Sequence, residues 1–242
     1  MSGSPRRYRA WVKPEGLVAF EVREFETDLQ VLAERDLSME ALAAARAARA
    51  PLIDYITHTD PDFLDAEVPC RILDGAPEIV KTMGRAARAA GVGPMAAVAG
   101  AIAEHVGRKL LELSREVIVE NGGDIFIACT RERTIGIHAG RSRLSGRIGI
   151  IIAPEKTPLG VCTSSGTVGH SKSYGCADAA CAIAPDAAVA DAAATGLGNR
   201  IRGPEDLQAA VEWALTVKGV TGALAVFMDS LAAAGDVRLL KL

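Results

Sequence analysis

The run Met95-Ala96-Ala97-Val98-Ala99-Gly100-Ala101-Ile102-Ala103 places the tightest limit on how this chain can pack. It follows Pro94, a residue favoured at the first position of a helix, and predicts a helix over 94–113. Its mostly small side chains let a neighbouring helix, strand or ligand approach the backbone closely. The rest of the chain is built in the same manner. Of 242 residues, 49% are hydrophobic but only 4% aromatic, so the core must rest on Ala, Val, Leu and Ile. The run is also too short to span a bilayer, which needs about 20 apolar residues.

Charge narrows the partners. A net charge of −3 gives no general pull toward nucleic acid or an anionic membrane, and the short basic clusters carry almost no aromatic residues to stack on bases. A small-molecule ligand is the expected partner. The first 16 residues contain arginines without an apolar run behind them, which does not read as a signal peptide. Five cysteines (Cys70, Cys129, Cys162, Cys176 and Cys181) form no C-x-x-C pair, and an odd number argues against a disulfide framework. A reducing cytoplasm is the expected compartment.

The pattern along the chain is α+β, over one large domain, 1–242, or two intertwined lobes of about 1–115 and 116–242. Strands are expected over 8–12, 17–25 and 29–33, the first two joined at Lys13-Pro14-Glu15-Gly16. Ser38 is the expected N-cap of an Ala-rich helix to residue 56, interrupted or kinked near Pro51. A second helix over 76–90 ends at Gly91. The period then shifts to strands over 117–120, 125–129, 134–138, 147–152, 159–162 and 176–184. Helices over 185–197 and 205–218, and strands over 223–228 and 237–240, complete the chain.

Three constellations are candidates for chemistry. Asn121-Gly122-Gly123-Asp124 ends an apolar strand, and its adjacent glycines permit close backbone approach or positive φ; a plain turn is the simpler reading. In Thr163-Ser164-Ser165-Gly166-Thr167-Val168-Gly169-His170-Ser171, hydroxyls and loop amides suit phosphate oxygens. It lacks the Gly-Lys-Ser/Thr ending of a P-loop, and a solvated loop is its bland alternative. Asp191 and Thr195 stand four apart on a predicted helix, so both oxygens reach one point, as a Mg²⁺ ligand pair would. An Asp near a helix start more often serves the helix dipole. A triad of Ser165, His170 and Asp178 lacks a nucleophile elbow. A zinc site from Cys162, His170, Cys176 and Cys181 has irregular spacing. The turn carrying Arg141, Arg143 and Arg147 has the charge to receive a phosphate, with a solvated hairpin as the simpler reading, and His58, His105 and His138 have no partner evident in the sequence.

Taken in order, Gly100-Ala101-Ile102-Ala103, Asn121-Gly122-Gly123-Asp124, Ser164-Ser165-Gly166 and Ala190-Asp191-Ala192-Ala193-Ala194-Thr195 resemble the motifs of the ApbE family, the FAD:protein FMN transferases. The resemblance covers roughly 98–199. The whole chain is more similar still to an uncharacterised family of short prokaryotic ApbE-like proteins. This implies T-fold-type β-sheet layers packed with helices. It implies Mg²⁺ held by Asp191 and Thr195 with a backbone carbonyl from 101–103, near the pyrophosphate of FAD or a related nucleotide. The implied ligand contacts are Asn121, Gly122, Gly123, Asp124, Ser164, Ser165, Gly166, Thr167, His170 and Ser171.

Two departures stand out. Glu104-His105 replaces the family's Lys-Gly, and the transferases' His-x-x-Asp-Pro segment is missing, with His170 or Asp178 as the candidate catalytic substitutes. The expected activity is therefore a Mg²⁺-dependent transferase or hydrolase acting on a phosphate-containing small molecule such as a flavin. The alternative is a non-catalytic binding protein that keeps the pocket. Exposed sheet edges in such folds leave room for a homodimer.

Overall fold

The computed structural model describes Arg9, residues 15–167 and residues 174–242. In chain order, strands β1 (Val18–Glu24) and β2 (Thr27–Ala33) precede helices α1 (Ser38–Asp54), α2 (Asp62–Asp65), α3 (Glu78–Ala90) and α4 (Val98–Leu110). Strands β3 (Val117–Asn121), β4 (Asp124–Ala128), β5 (Arg133–Gly136), β6 (Ile148–Ile152), β7 (Leu159–Ser164) and β8 (Ala179–Ala184) follow. Helices α5 (Ala187–Gly198) and α6 (Leu207–Thr216) then lead to β9 (Gly222–Phe227), β10 (Ser230–Gly235) and β11 (Leu239–Lys241).

Eight strands form one antiparallel sheet in the order β1-β2-β3-β4-β7-β8-β9-β10, and three form a second in the order β11-β6-β5. Because side chains alternate across a strand, each strand of the large sheet serves two layers. Val117, Val119, Phe126 and Ala128 point to the helices and pack with Ile102, Val106 and Leu110 of α4. Ile118, Ile127, Val161, Cys181 and Ile183 point the other way and pack with Ile137, Ile150 and Ile152 beneath the small sheet. The architecture is a helix layer, a large sheet and a small sheet, in agreement with the α+β expectation. Among the described residues, no single helix is long and apolar enough to cross a membrane.

Small residues set the spacing of the helix layer. A Cβ on Gly100 would lie 2.2 Å from the Ala187 carbonyl oxygen and 2.9 Å from Asp191 Cβ, so α4 and α5 meet here only because position 100 has no side chain. The strand β8 is six buried residues, Ala-Ala-Cys-Ala-Ile-Ala, between α5 and the small sheet. The small-residue run thus has the role its composition suggests.

Several boundaries differ from expectation. Ser38 is the first helical residue rather than the cap; Leu37 precedes it, and the Ser38 amide donates to Asp36 Oδ1. The helix α1 continues through Pro51 and passes into a π turn over Tyr55–Thr59. The run after Pro94 begins as a 3-10 turn, Pro94–Ala97, and becomes α-helical only at Val98. The strand expected from 176 starts at Ala179, because Asp178 turns its carboxylate back to the end of β9. Strand β10 has no forecast in the sequence: Ser-Leu-Ala-Ala-Ala-Gly carries neither β-branched nor aromatic residues, and pairing with β9 makes it extended. The strand expected over 8–12 lies, Arg9 apart, outside the described residues.

Candidate functional site

The register of the large sheet draws the first constellation together. Asn121 pairs with Asp124 across a two-residue turn, and Asp124 pairs in turn with Cys162 on β7. Gly122 and Gly123 have φ of 73° and 110°, the positive values that a type I′ hairpin turn demands at both positions. Counting along each strand puts Asn121, Asp124, Cys162 and Ser164 on the helix-facing side. They form a polar row under the start of α4 and the middle of α5.

Asn121 Nδ2 donates to the Ala99 carbonyl oxygen at 3.2 Å, tying the hairpin to the first turn of α4. Asp191, from α5, accepts from the Gly100 amide at 2.9 Å and from the amide of Ala99. Ala97 offers α4 no capping side chain, so Asp191 satisfies amides that a helix start leaves free, from the neighbouring helix. The dipole role weighed in the sequence is therefore real, but it concerns α4 rather than the helix that carries Asp191.

The carboxyl group of Asp124 meets that of Asp191. Each residue is only 8% exposed. Burial raises the Asp191 carboxyl to about 7, against which the Gly100 and Ala99 amides and the contact with Asp124 act. Asp124 is pushed well above the ordinary carboxyl range by burial and then by the neighbouring Asp191 charge. Burial likewise raises the Cys162 thiol, which donates to the Ala187 carbonyl at 3.4 Å. Two such carboxyl groups in contact require a proton or a cation between them. Among the described residues, Asp124 Oδ1 is buried without a hydrogen-bond partner.

The donor set suits Mg²⁺. No group of three or more His, Cys, Asp or Glu side chains among the described residues is arranged to hold a metal ion. A cation here would take carboxylate oxygen from Asp191 and fill its shell with hydroxyl, carbonyl, water or phosphate oxygens, as Mg²⁺ does. Thr195 follows Asp191 by one turn on the same face of α5 and is half-buried.

The serine-rich loop departs from β7 beside this row. Ser164 approaches Gly198 near the end of α5, and Ser165 Oγ accepts from the Thr167 amide at 3.1 Å. Thr167 Oγ1 donates to Asp178 Oδ1 at 3.0 Å, while Asp178 Oδ2 accepts from the Met228 amide at 2.7 Å. Asp178 is thus an anchor between the loop and β9. Each of its carboxylate oxygens holds backbone or loop. His170 and Ser171 lie outside the described residues.

Two carboxylates not foreseen in the sequence support the site. Glu120 points to the opposite face of β3, where Oε1 accepts from the Gly123 amide at 2.8 Å and Oε2 from Arg9 Nε at 2.7 Å. Glu104, in the place of the family's Lys, accepts from the Ala187 amide at 2.6 Å and joins Asp186 in capping α5. The signal for Glu120 was its place immediately before the Asn-Gly-Gly turn. Glu104 stood out in the sequence only as a replacement of the family's Lys, with no structural role attached to it. The other histidines stay apart: His58 pairs with Asp54 at 3.1 Å on the surface, and burial, then the Lys109 charge, pushes the His105 imidazole down from its ordinary value. A separate open groove of about 600 Å³ lies against β6 and β11, lined by Arg143, Arg147, Asp229 and Lys241, with none of the site residues in it.

Comparison with known proteins gives this arrangement its family. Residues 9–226 match the model of the family described as AbpE bacteria. A UPF0280 protein of Methanopyrus kandleri is 46% identical over 191 residues, covering 78% of this chain and 76% of its own. A UPF0280 protein of Methanosarcina acetivorans is 40% identical over 210 residues, covering 86% and 81%. In structure, the flavin transferase ApbE from Vibrio cholerae superposes with a TM-score of 0.59 at 12% identity, over 90% of this chain and 96% of that one. The apo form of the Pseudomonas stutzeri flavinyl transferase ApbE gives 0.56 at 14% identity, over 90% and 94%. The chain therefore belongs to the AbpE bacteria family, among the UPF0280 proteins, and carries the fold of the ApbE flavin transferases.

Proposed function

We propose that this protein is a Mg²⁺-dependent enzyme acting on a phosphate-containing small molecule, a flavin or related nucleotide. The observation that carries the reading is the buried Asp124–Asp191 pair at the start of α4, with one carboxylate oxygen left unpartnered among the described residues. A bound Mg²⁺ would neutralise a pyrophosphate and stabilise charge developing on a leaving phosphate. Asp191 and Thr195 would hold it, and the amides of Ala99 and Gly100 keep the Asp191 carboxylate in place. Asn121 fixes the Asn-Gly-Gly hairpin against α4, so the turn presents its backbone edge to a ligand. The hydroxyls of Ser164, Ser165 and Thr167 complete the polar wall from the β7 side.

A second reading has a specific observation in its favour. Asp178 is committed to Thr167 and Met228, and the chain lacks a His-x-x-Asp-Pro segment, which fits a protein that binds such a ligand without transforming it. Incubation with FAD and Mg²⁺, followed by chromatography, separates the two. Mg²⁺-dependent appearance of FMN supports the enzyme. FAD bound in a Mg²⁺-dependent manner and recovered intact supports the binding protein.

A further inference from the structure

We infer that Asp124 is itself a ligand of the divalent cation, so that this site grips its ion with two carboxylates from different layers of the fold. The inference rests on the cation-dependent reading above and gives the Asp of Asn-Gly-Gly-Asp a role beyond lining a pocket.

Asp124 is 8% exposed, and among the described residues its Oδ1 meets no donor. A buried carboxylate oxygen in that state loses its hydration without replacement, a situation that native structures resolve with a bound ion, a water or a proton. The charged groups that face Asp124 are Asp191 and Glu120, both acidic. Neither can satisfy it as an anion. Glu120 is moreover occupied with the Gly123 amide and Arg9 on the far side of the strand. The Asp191 carboxyl, already anchored by the Gly100 amide, touches Asp124 from the helix layer. A cation between the two answers both demands at once.

Geometry makes Asp124 a rigid donor. It is the first residue of β4, paired on one side with Asn121 and on the other with Cys162. Its hairpin is pinned from above by Asn121 Nδ2 on Ala99 and from below by Glu120 on Gly123. A ligand from a sheet and a ligand from a helix, each locked by its own hydrogen bonds, form a preorganised pair. Such a pair favours an oxygen-seeking ion of the Mg²⁺ or Mn²⁺ class.

The test uses Mn²⁺ as the probe, titrated into the full chain first alone and then with ADP, with the free aqua ion followed by electron paramagnetic resonance. The wild-type protein is expected to bind Mn²⁺, and Asp124→Asn and Asp191→Asn are each expected to weaken it by about tenfold or more. Wild-type affinity in Asp124→Asn alongside a loss in Asp191→Asn overturns the inference and leaves the cation-dependent reading standing. No Mn²⁺ binding by the wild type in either condition overturns both. Circular dichroism checks that each variant is folded. Asp124→Cys supplies an independent readout, since a thiolate at a true ligand position shifts preference from Mn²⁺ toward Cd²⁺. A folded Asp124→Cys protein with the wild-type Mn²⁺/Cd²⁺ ratio also overturns the inference.

Discussion

The amide of Gly100 donates to Asp191 Oδ2 at 2.9 Å, and this one bond joins the start of α4 to the middle of α5 across 91 positions of sequence. It explains why the small-residue run and the Ala-Asp-Ala-Ala-Ala-Thr segment occur in one chain. The glycine permits the approach, the carboxylate satisfies the helix start, and the approach brings that carboxylate to Asp124.

Gly100→Ala should therefore break more than local packing. The new methyl group would meet the Ala187 carbonyl at 2.2 Å, and two helix backbones cannot move apart freely. We expect a loss of about 1–3 kcal/mol in urea unfolding, typical of overpacking, together with weaker cation binding. Ala99→Gly, beside it, should leave the helix contact in place and lose only about 1 kcal/mol of helix propensity.

The carboxyl pair predicts an unusual pH profile for the metal-free protein. The Asp191 carboxyl stands at about 7 in the fold against an ordinary 3.8. Below 3.8 both folded and unfolded chains hold the proton, and this group makes no difference. Between 3.8 and about 7 the folded chain retains a proton that the unfolded chain releases, so stability falls as pH rises. The slope from one such group is about 1.4 kcal/mol per pH unit. On the proposed reading Mg²⁺ would replace the proton, so its stabilising effect should grow from pH 6 to pH 8. Thermal midpoints measured across this range in EDTA and in excess Mg²⁺ check the sign.

Glu120 offers a test of the support beneath the turn. Its carboxylate binds Arg9 on one oxygen and the Gly123 amide on the other. Glu120→Ala takes from the buried Arg9 guanidinium its Nε partner, leaving Asp28 at 2.7 Å and the more distant Glu21 at 3.6 Å, and frees the turn. Breaking a buried ion pair from one side is strongly destabilising, and we expect a loss of about 3 kcal/mol by chemical denaturation. Glu120→Gln keeps an acceptor for Gly123 and should lose less. A change in Glu120→Ala within about 0.5 kcal/mol, as at ordinary surface positions, would contradict the assignment.

Much of the helix layer was legible in the sequence, because glycine and alanine leave strong marks. Gly122-Gly123 announced a hairpin turn, and the order of the motifs announced which segments converge. What escaped depended on contacts between distant layers. That Asp124 faces Asp191 follows from strand register and helix packing together, which no local pattern encodes. Glu104 reads as an ordinary helix-surface glutamate until Ala187 is placed against it. Strand β10 is written in alanines, whose intrinsic preference is helical, and only its pairing with β9 makes it a strand. The bonds of Asp178 to Thr167 and Met228 likewise depend on a fold contact that no local pattern encodes.

The most direct test of the central claim is thermal unfolding of the purified protein with FAD, FMN, ADP and a pterin, each with and without Mg²⁺. A ligand that binds only the native state raises the midpoint by mass action. The account predicts a rise with FAD or ADP that requires Mg²⁺ and disappears in Asp191→Ala. A rise with the pterin alone, indifferent to Mg²⁺ and to Asp191→Ala, would contradict it.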